Sequence, residues 1–315
     1  MQEKMLPSFS QFKTRMRSSP LRYPGGKSRG VKFLANYVPE FEVFREPFFG
    51  GGSLSIALVQ QQYNKKYEAS DLNYDLYCFW KQLQENDSEL ANGIQEIFDR
   101  YKLNGATIPS GEPGKHLFKT LLGRRKSNIS DLQRAIDFYV LNRISFSGVV
   151  DRGGFSKASF DNRFTPSSIN KLRYSAAIVK RIDFFHQDYS RLLQKPGNEV
   201  FIYLDPPYHG ATKSKLYGRG GLLHTHFDHE KLATDLAGIP HKWMITYDNS
   251  DYIKDMYKGY YQCQWHLQYG MTNSQQSPSV LGSELLIANY DLCEVFGKNR
   301  NQKAVGADIL IKHQA

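Results

Sequence analysis

The chain has 315 residues, 40% of them hydrophobic and 23% charged, an ordinary globular balance that suggests neither a disordered chain nor a coiled coil. That length accommodates one large domain, or a catalytic domain with a smaller insert, at about 100–200 residues per domain. A formal charge of +10 and a pI near 9.3 favour nucleic acid as partner over a membrane, since Lys and Arg on phosphates release condensed counterions. The longest apolar runs fall short of the roughly 20 residues a membrane span needs, and there is no N-terminal signal pattern, so a soluble, cytoplasmic protein is expected. Cys78, Cys263 and Cys293 match neither a disulfide framework nor a zinc spacing and are expected to be reduced, mostly buried thiols.

Residues 1–19, with Lys4, Lys13, Arg15 and Arg17, read as a basic tail that can order on a polyanion. An apolar segment from Val43 to Phe49 ends in Gly50-Gly51-Gly52-Ser53, and Leu54, Ile56, Ala57 and Leu58 then predict a helix. Glu68 to Asp71 closes a second strand, followed by a helix rich in aromatics through Trp80 and Leu83. From about Glu85 to Arg181 the character changes. Helical patches, the Gly/Pro loop Pro109 to Gly114, the cluster Arg124-Arg125-Lys126 and a Gly/Ser-rich stretch from Ser145 to Ser159 predict an inserted second domain. Ile182 to Phe185 and the apolar run Val200 to Leu204 resume the sheet, the latter as a strand buried on both faces. Trp243 to Tyr247 and Glu284 to Tyr290 are further strands, separated by a helix from Asp228 to Leu236 and a loop around Gly270 to Ser283.

The string that carries most chemistry is Leu204-Asp205-Pro206-Pro207-Tyr208, at the end of the buried run. Ligands in open α/β sheets bind beyond the carboxyl ends of strands. The prolines fix φ, and Pro206 restricts Asp205 to extended backbone, giving a stiff turn. Methylation of an exocyclic amine needs acceptors on its N–H bonds, because its lone pair is delocalised into the ring. Asp205 can supply one acceptor and the Pro206 carbonyl another, stabilising the positive charge that develops on nitrogen. Tyr208 can stack on the base once it leaves the duplex. The plainer reading is a strand-ending turn with a capping Asp.

Asp205-Pro206-Pro207-Tyr208 resembles the catalytic motif of the Dam-like, class alpha, D12-type DNA adenine-N6 methyltransferase family. Other segments match that family in order: Arg22-Tyr23-Pro24-Gly25-Gly26-Lys27, its N-terminal cofactor motif; Glu46-Pro47-Phe48-Phe49-Gly50-Gly51-Gly52-Ser53, its glycine-rich motif; and Asp71-Leu72-Asn73, its ribose-side acid. Glu284 to Tyr290 also fits, so the resemblance runs from about residue 20 to 290. It implies S-adenosyl-L-methionine as cofactor, contacted by Tyr23, Lys27, Asp71 and Asp205, with Phe48 or Phe49 packed nearby and the backbone at Gly50 close to it. Tyr23 stands where the family often has Trp and keeps an aromatic face. Lys27 could otherwise be a solvated surface lysine. Asp188-Tyr189 resembles the family's pair near the cofactor adenine, although Asp188 could simply cap a turn.

The expected fold is therefore an α/β, Rossmann-like methyltransferase sheet built from residues 20–84 and 182–315, with a mostly helical target-recognition domain at 85–181. Leu141 to Gly148 resembles the start of the family's DNA-reading segment, continued by a polar, hairpin-like stretch from Gly153 to Thr165. Asn142, Arg143, Lys157, Asn162 and Arg163 are candidate contacts to bases or phosphates of double-stranded DNA. Arg124, Arg125 and Lys126 are candidate phosphate contacts or a solvated face. Lys213, Lys215 and Arg219 lie in a Gly-rich loop placed to cover substrate. His224, His226 and His229 invite a metal, but Asp228 reads better as a helix cap, and no metal is expected.

A P-loop NTPase is the rival from another class, through Gly26-Lys27-Ser28 and the acidic end of Phe201 to Asp205. It fails because Leu21 stands where a P-loop needs Gly, and because an NTPase has no use for Pro206-Pro207-Tyr208. A silent DNA-binding module would not need an intact Asp205 turn. Cytosine N4 poses the same amino chemistry and stays open beside adenine N6, with RNA a lesser alternative. Restriction-modification is one biological setting; a cognate nuclease is left open.

Overall fold

The computed structural model describes residues 18–23, 25–62, 64–103, 112–150, 153–211, 227–268 and 281–299. The basic tail before residue 18, Lys213, Lys215, Arg219, His224 and His226 lie outside the described residues. A short helix α1 (Val31–Leu34) precedes strand β1 (Val43–Glu46), helix α2 (Ser53–Val59) and strand β2 (Lys66–Asp71). Asn73 starts α3 (Tyr74–Glu85) by accepting the backbone N–H groups of Asp75 and Leu76, which satisfies donors that the first helical turn leaves open.

A helical segment follows: α4 (Asp87–Phe98), α5 (Pro113–Arg124), α6 (Asp131–Ile144), α7 (Lys157–Arg163) and α8 (Pro166–Val179). The chain then alternates through β3 (Ile182–His186), α9 (Tyr189–Gln194), β4 (Val200–Leu204), α10 (His229–Ala237), β5 (Lys242–Asp248) and α11 (Asp251–Met256). It closes with β6 (Tyr261–Gln268), β7 (Leu281–Ala288) and α12 (Leu292–Asn299). Asp228 caps α10 by accepting the Lys231 N–H, as the sequence suggests.

The seven strands form one sheet in the order β3-β2-β1-β4-β5-β7-β6. The first five pair in parallel, and β7 runs antiparallel to both β5 and β6. Chain order runs outward in opposite directions from the boundary between the parallel neighbours β1 and β4, so the ligand crevice expected of such a sheet opens beyond their carboxyl ends. Apolar side chains alternate between two clusters across the sheet. Phe201 and Tyr203 of β4 join one, Val200, Ile202 and Leu204 the other, the two-residue period of a strand covered on both faces.

Two expectations about strands need correction. Glu284 to Tyr290 is not a strand to its end: β7 spans Leu281–Ala288 and is reversed, pairing Glu284 with Asp248 and Leu286 with Thr246. β6 was not anticipated, although Cys263 and Trp265 point inward while Gln264 and His266 are exposed, the alternation of a half-covered edge strand.

The segment at 85–181 is helical, as expected, but Gly153 to Thr165 is not a hairpin. Ser156 accepts the Ser159 N–H and starts α7, which packs on α6, leaving only an isolated bridge between Ser145 and Phe155. α6 is buried from Ala135 to Ile144 because α3, α4, α5 and α7 surround it. Its apolar contacts are continuous with the sheet: Phe44, Trp80, Leu90, Phe138 and Leu172 belong to one cluster. A buried carboxylate ties the layers together. Asp75 on α3 accepts from Arg125, after α5, and from Arg134 on α6 (2.8 Å).

Cys78 and Cys263 are buried, Cys293 is partly exposed, and all three are free thiols. Among the described residues, no helix is long and apolar enough to cross a membrane. Removing one member of a buried ionic cluster strands the charges left behind. Asp75→Ala is therefore expected to lower unfolding stability by about 3–5 kcal/mol, measured by urea denaturation; a loss under about 1 kcal/mol would show that Asp75 does not tie these layers together.

Candidate active site

The site is assembled where four strand ends meet. Beyond β1, Gly50 and Gly52 adopt left-handed backbone, with φ of 48° and 61°, a conformation that costs side chains with a Cβ. A Cβ on Gly50 would sit 2.8 Å from Tyr23 Cε1, and one on Gly51 would sit 2.9 Å from Tyr23 Cβ. Glycines here let the Tyr23 ring lie directly against bare backbone. Asp71, at the end of β2, holds this turn by accepting the Gly50 N–H (2.9 Å) and the Asn73 N–H (2.9 Å). The Trp80 indole donates to the Gly50 carbonyl (3.0 Å).

Asp205 leaves β4 held from two sides. The Lys27 ammonium donates to both of its oxygens (2.8 and 3.1 Å) and to the Gly25 carbonyl (3.1 Å). The Thr246 hydroxyl of β5 donates to Asp205 Oδ1 (2.8 Å). Lys27 is 4% exposed, so it is no solvated surface lysine. It also lies 4.7 Å from the centre of the Tyr208 ring, the geometry of a cation over an aromatic face. Pro206 is buried, while Asp205 and Tyr208 keep partial exposure into the crevice.

Phe48 packs against Tyr189 (5.2 Å) and Phe227 (5.6 Å), and Phe49 turns inward against Trp80 and Phe184 (both 5.1 Å). Asp188 follows β3 and caps α9 by accepting the Ser190 N–H (3.0 Å), the plainer of its two roles. His229 is buried, with Nδ1 2.8 Å from the Tyr247 hydroxyl. The described residues include no group of three or more His, Cys, Asp or Glu able to hold a metal.

Several residues offered as DNA contacts are engaged inside the protein. Asn142 is fully buried; its Oδ1 accepts the Arg22 N–H (3.0 Å), and its Nδ2 donates to the Arg22 carbonyl (3.0 Å) and the Gly148 carbonyl (2.9 Å). Arg143 is buried over the Tyr139 ring and donates to the Pro20 carbonyl. Arg124 pairs with Asp137, and Arg125 with Asp75. An Arg or Asn on a helix looks the same in sequence whether it faces DNA or a neighbouring helix. Lys126, Lys157, Asn162 and Arg163 are exposed, Lys157 being paired with Asp161. Burial, then the charges of Arg143 and Arg163, push Arg22 down to about 10.

Glu46, Thr246 and Glu284 escaped the sequence reading as site residues. Glu46 ends β1 and accepts from the Ser55 N–H (3.2 Å) and hydroxyl. Burial, reinforced by Asp205 and Asp71, raises its carboxyl to about 8 against the Ser55 hydrogen bonds. Burial likewise raises the Asp71 carboxyl above its ordinary value.

A glycine turn beyond the first strand, an acid at the second and an Asp-Pro-Pro-Tyr corner at the fourth, on a parallel sheet ending in a reversed strand, define a Rossmann-like amino methyltransferase. Residues 23–271 match the family described as D12 class N6 adenine-specific DNA methyltransferase, and the chain belongs to that family. It is similar to the type II methyltransferase M.CviBI of Paramecium bursaria Chlorella virus NC1A, 22% identical over 86% of this chain and 98% of that protein. The type II methyltransferase M.MjaIII of Methanocaldococcus jannaschii is 21% identical over 62% of this chain and 71% of its own. The DNA N-6-adenine-methyltransferase of Escherichia phage P1 is 24% identical over 76% of this chain and 31% of its own. The family uses S-adenosyl-L-methionine, and the cradle fits it: bare glycine backbone under an aromatic ring, with carboxylates at Asp71 and Asp205 for hydroxyl and ammonium donors.

Two outcomes are expected. Gly50→Ala forces a Cβ against the Tyr23 ring, and S-adenosylmethionine affinity should fall about tenfold or more, from about 1–3 kcal/mol of backbone strain, by isothermal titration; unchanged affinity would separate this turn from the cofactor. Glu46 ordinarily ionises near 4.5 but keeps its proton to about 8 when folded. Its contribution is therefore fully present below 4.5, is lost as pH rises to about 8, and changes no further above. Glu46→Gln should remove that slope and gain on the parent at pH 8.5, read from urea melts at pH 6 and 8.5; parallel profiles would count against a neutral Glu46.

Proposed function

We propose that the chain methylates adenine N6 in double-stranded DNA on a base flipped from the helix, with Asp205, the Pro206 carbonyl and Tyr208 as the groups that receive it. The observation that carries this reading is the preorganised Asp205 corner, whose carboxylate is oriented by Lys27 and Thr246 before any substrate arrives. Bound S-adenosylmethionine would supply an electrophilic methyl on a sulfonium. The chain's own part is to hold the amine. Asp205 and the Pro206 carbonyl accept its N–H bonds, drawing the nitrogen lone pair out of conjugation and stabilising the charge that develops there. Tyr208 stacks on the ring and offsets part of the unstacking cost.

On the cofactor side, we assign Tyr23, Lys27, Phe48, Gly50, Asp71 and Asp188 as the groups that meet S-adenosylmethionine. On the DNA side, the exposed Lys126, Asn162 and Arg163 are proposed to meet the duplex, together with Lys157 and with Lys213 and Lys215 from the sequence. Arg125, Asn142 and Arg143 instead tie the helical segment to α3 and to the stretch just before Tyr23. Exposure supports this division, and the charge of +10 favours phosphate contact, because basic groups on phosphates supply affinity without sequence information.

DNA from cells expressing the protein, digested to nucleosides and analysed by mass spectrometry, should contain N6-methyladenine. N4-methylcytosine in its place would redirect the substrate assignment, and no added methyl on DNA would end it. Asp205→Ala should reduce transfer at least about 100-fold, the scale of losing one oriented transition-state group, while duplex affinity stays within a few fold.

A further inference from the structure

The Asp-Pro-Pro-Tyr corner is tied down at its far end by a residue from the reversed strand. The Tyr208 hydroxyl donates to Glu284 Oε2. Glu284 is 2% exposed, and a buried carboxylate is costly unless donors meet it. Its place follows from the sheet. β7 runs antiparallel to β5 with Glu284 opposite Asp248 and Leu286 opposite Thr246. Directly opposed residues share a face, and so do residues two apart along a strand. Thr246 and Glu284 therefore lie on one face, at the edge where β4 ends. Thr246 holds the Asp205 carboxylate (2.8 Å) and Glu284 holds the Tyr208 hydroxyl. Both ends of the turn are fastened to the β5–β7 pair.

Without such a tie, a partly exposed tyrosine in irregular backbone can rotate about its side-chain bonds. Lys27, 4.7 Å from the ring centre, and Tyr247, 6.1 Å away and tilted by 42°, contact the ring without fixing its hydroxyl end. We propose that Glu284 is a positioning residue for methyl transfer: by accepting the Tyr208 hydroxyl, it holds the ring in the plane against which the target base stacks. This rests on the reading of Tyr208 as the stacking ring. Glu284 acts on the ring through the Tyr208 hydroxyl, so its contribution to transfer vanishes when that hydroxyl is gone.

That dependence makes a double-mutant cycle the test, using single-turnover transfer of tritiated methyl from S-adenosylmethionine to unmethylated plasmid DNA. Glu284→Ala and Tyr208→Phe should each slow transfer about tenfold, the scale of one buried hydrogen bond. The double variant should be no slower than Tyr208→Phe alone. Glu284→Gln, whose amide oxygen still accepts the hydroxyl, should restore most of the rate. Cofactor affinity should stay within about twofold throughout. Should Glu284→Ala not fold, Glu284→Met, similar in size and with only a weak thioether acceptor, takes its place. Wild-type rate in the Glu284 variant, or two losses that multiply in the double variant, would overturn the proposal. Tyr208→Ala separates it from the reading beneath: full activity there defeats the stacking role, whereas an inactive Tyr208→Ala beside an unimpaired Glu284 variant defeats the positioning role alone.

Discussion

The contact on which the site depends is the ion pair between Lys27 and Asp205, two residues 178 positions apart. Lys27 is almost wholly enclosed, and enclosing an ammonium costs several kcal/mol unless acceptors surround it. Asp205 and the Gly25 carbonyl provide them, with the Tyr208 ring nearby. This arrangement requires several features of the fold together. β1 must lie beside β4, so that the N-terminal motif reaches the end of β4. β5 must lie on the other side, so that Thr246 reaches the same carboxylate.

The helical segment contributes to that geometry. Asn142 pairs with both backbone groups of Arg22 much as a neighbouring strand would, holding the chain just before Tyr23 in place. Toward the other end of α6, Arg134 joins Arg125 in gripping Asp75 of α3. The segment that carries the candidate DNA contacts is thus bolted to the segment that carries the glycine turn, with one apolar cluster running through both. Positioning of the duplex and positioning of the cofactor become a single mechanical problem. Interiors this closely packed transmit small displacements instead of absorbing them.

Charge is handled by depth. At the rim, Asp71 and Asp205 keep hydrogen-bond partners and face the crevice. One layer down, Glu46 is sealed in, and burial together with those two neighbouring acids favours its protonated form. A neutral Glu46 adds no third negative charge beneath a site that must receive both a cationic cofactor and a nucleobase amine. Its remaining task is local, as an acceptor for the start of α2 through Ser55.

Motifs bound by covalent stiffness or by local hydrogen bonding were legible in the residues: the glycine turn, the Asp205 to Tyr208 corner, the Asp228 cap and the doubly buried run Val200 to Leu204. Each obeys rules that act over a few neighbouring positions. The reversal of β7 was not legible, because strand direction is set by connections and by which edge of the sheet is open, and an apolar run reads the same either way. The partners of Arg125, Asn142 and Arg143 were hidden for a related reason, since a helix exposes its polar groups to whatever tertiary packing brings near. The sequence by itself determined which groups could do the chemistry. Only the tertiary structure decided that Thr246 and Glu284 hold the two ends of the Asp205 to Tyr208 turn, because cross-strand neighbours come from sheet order and register, which no local pattern encodes.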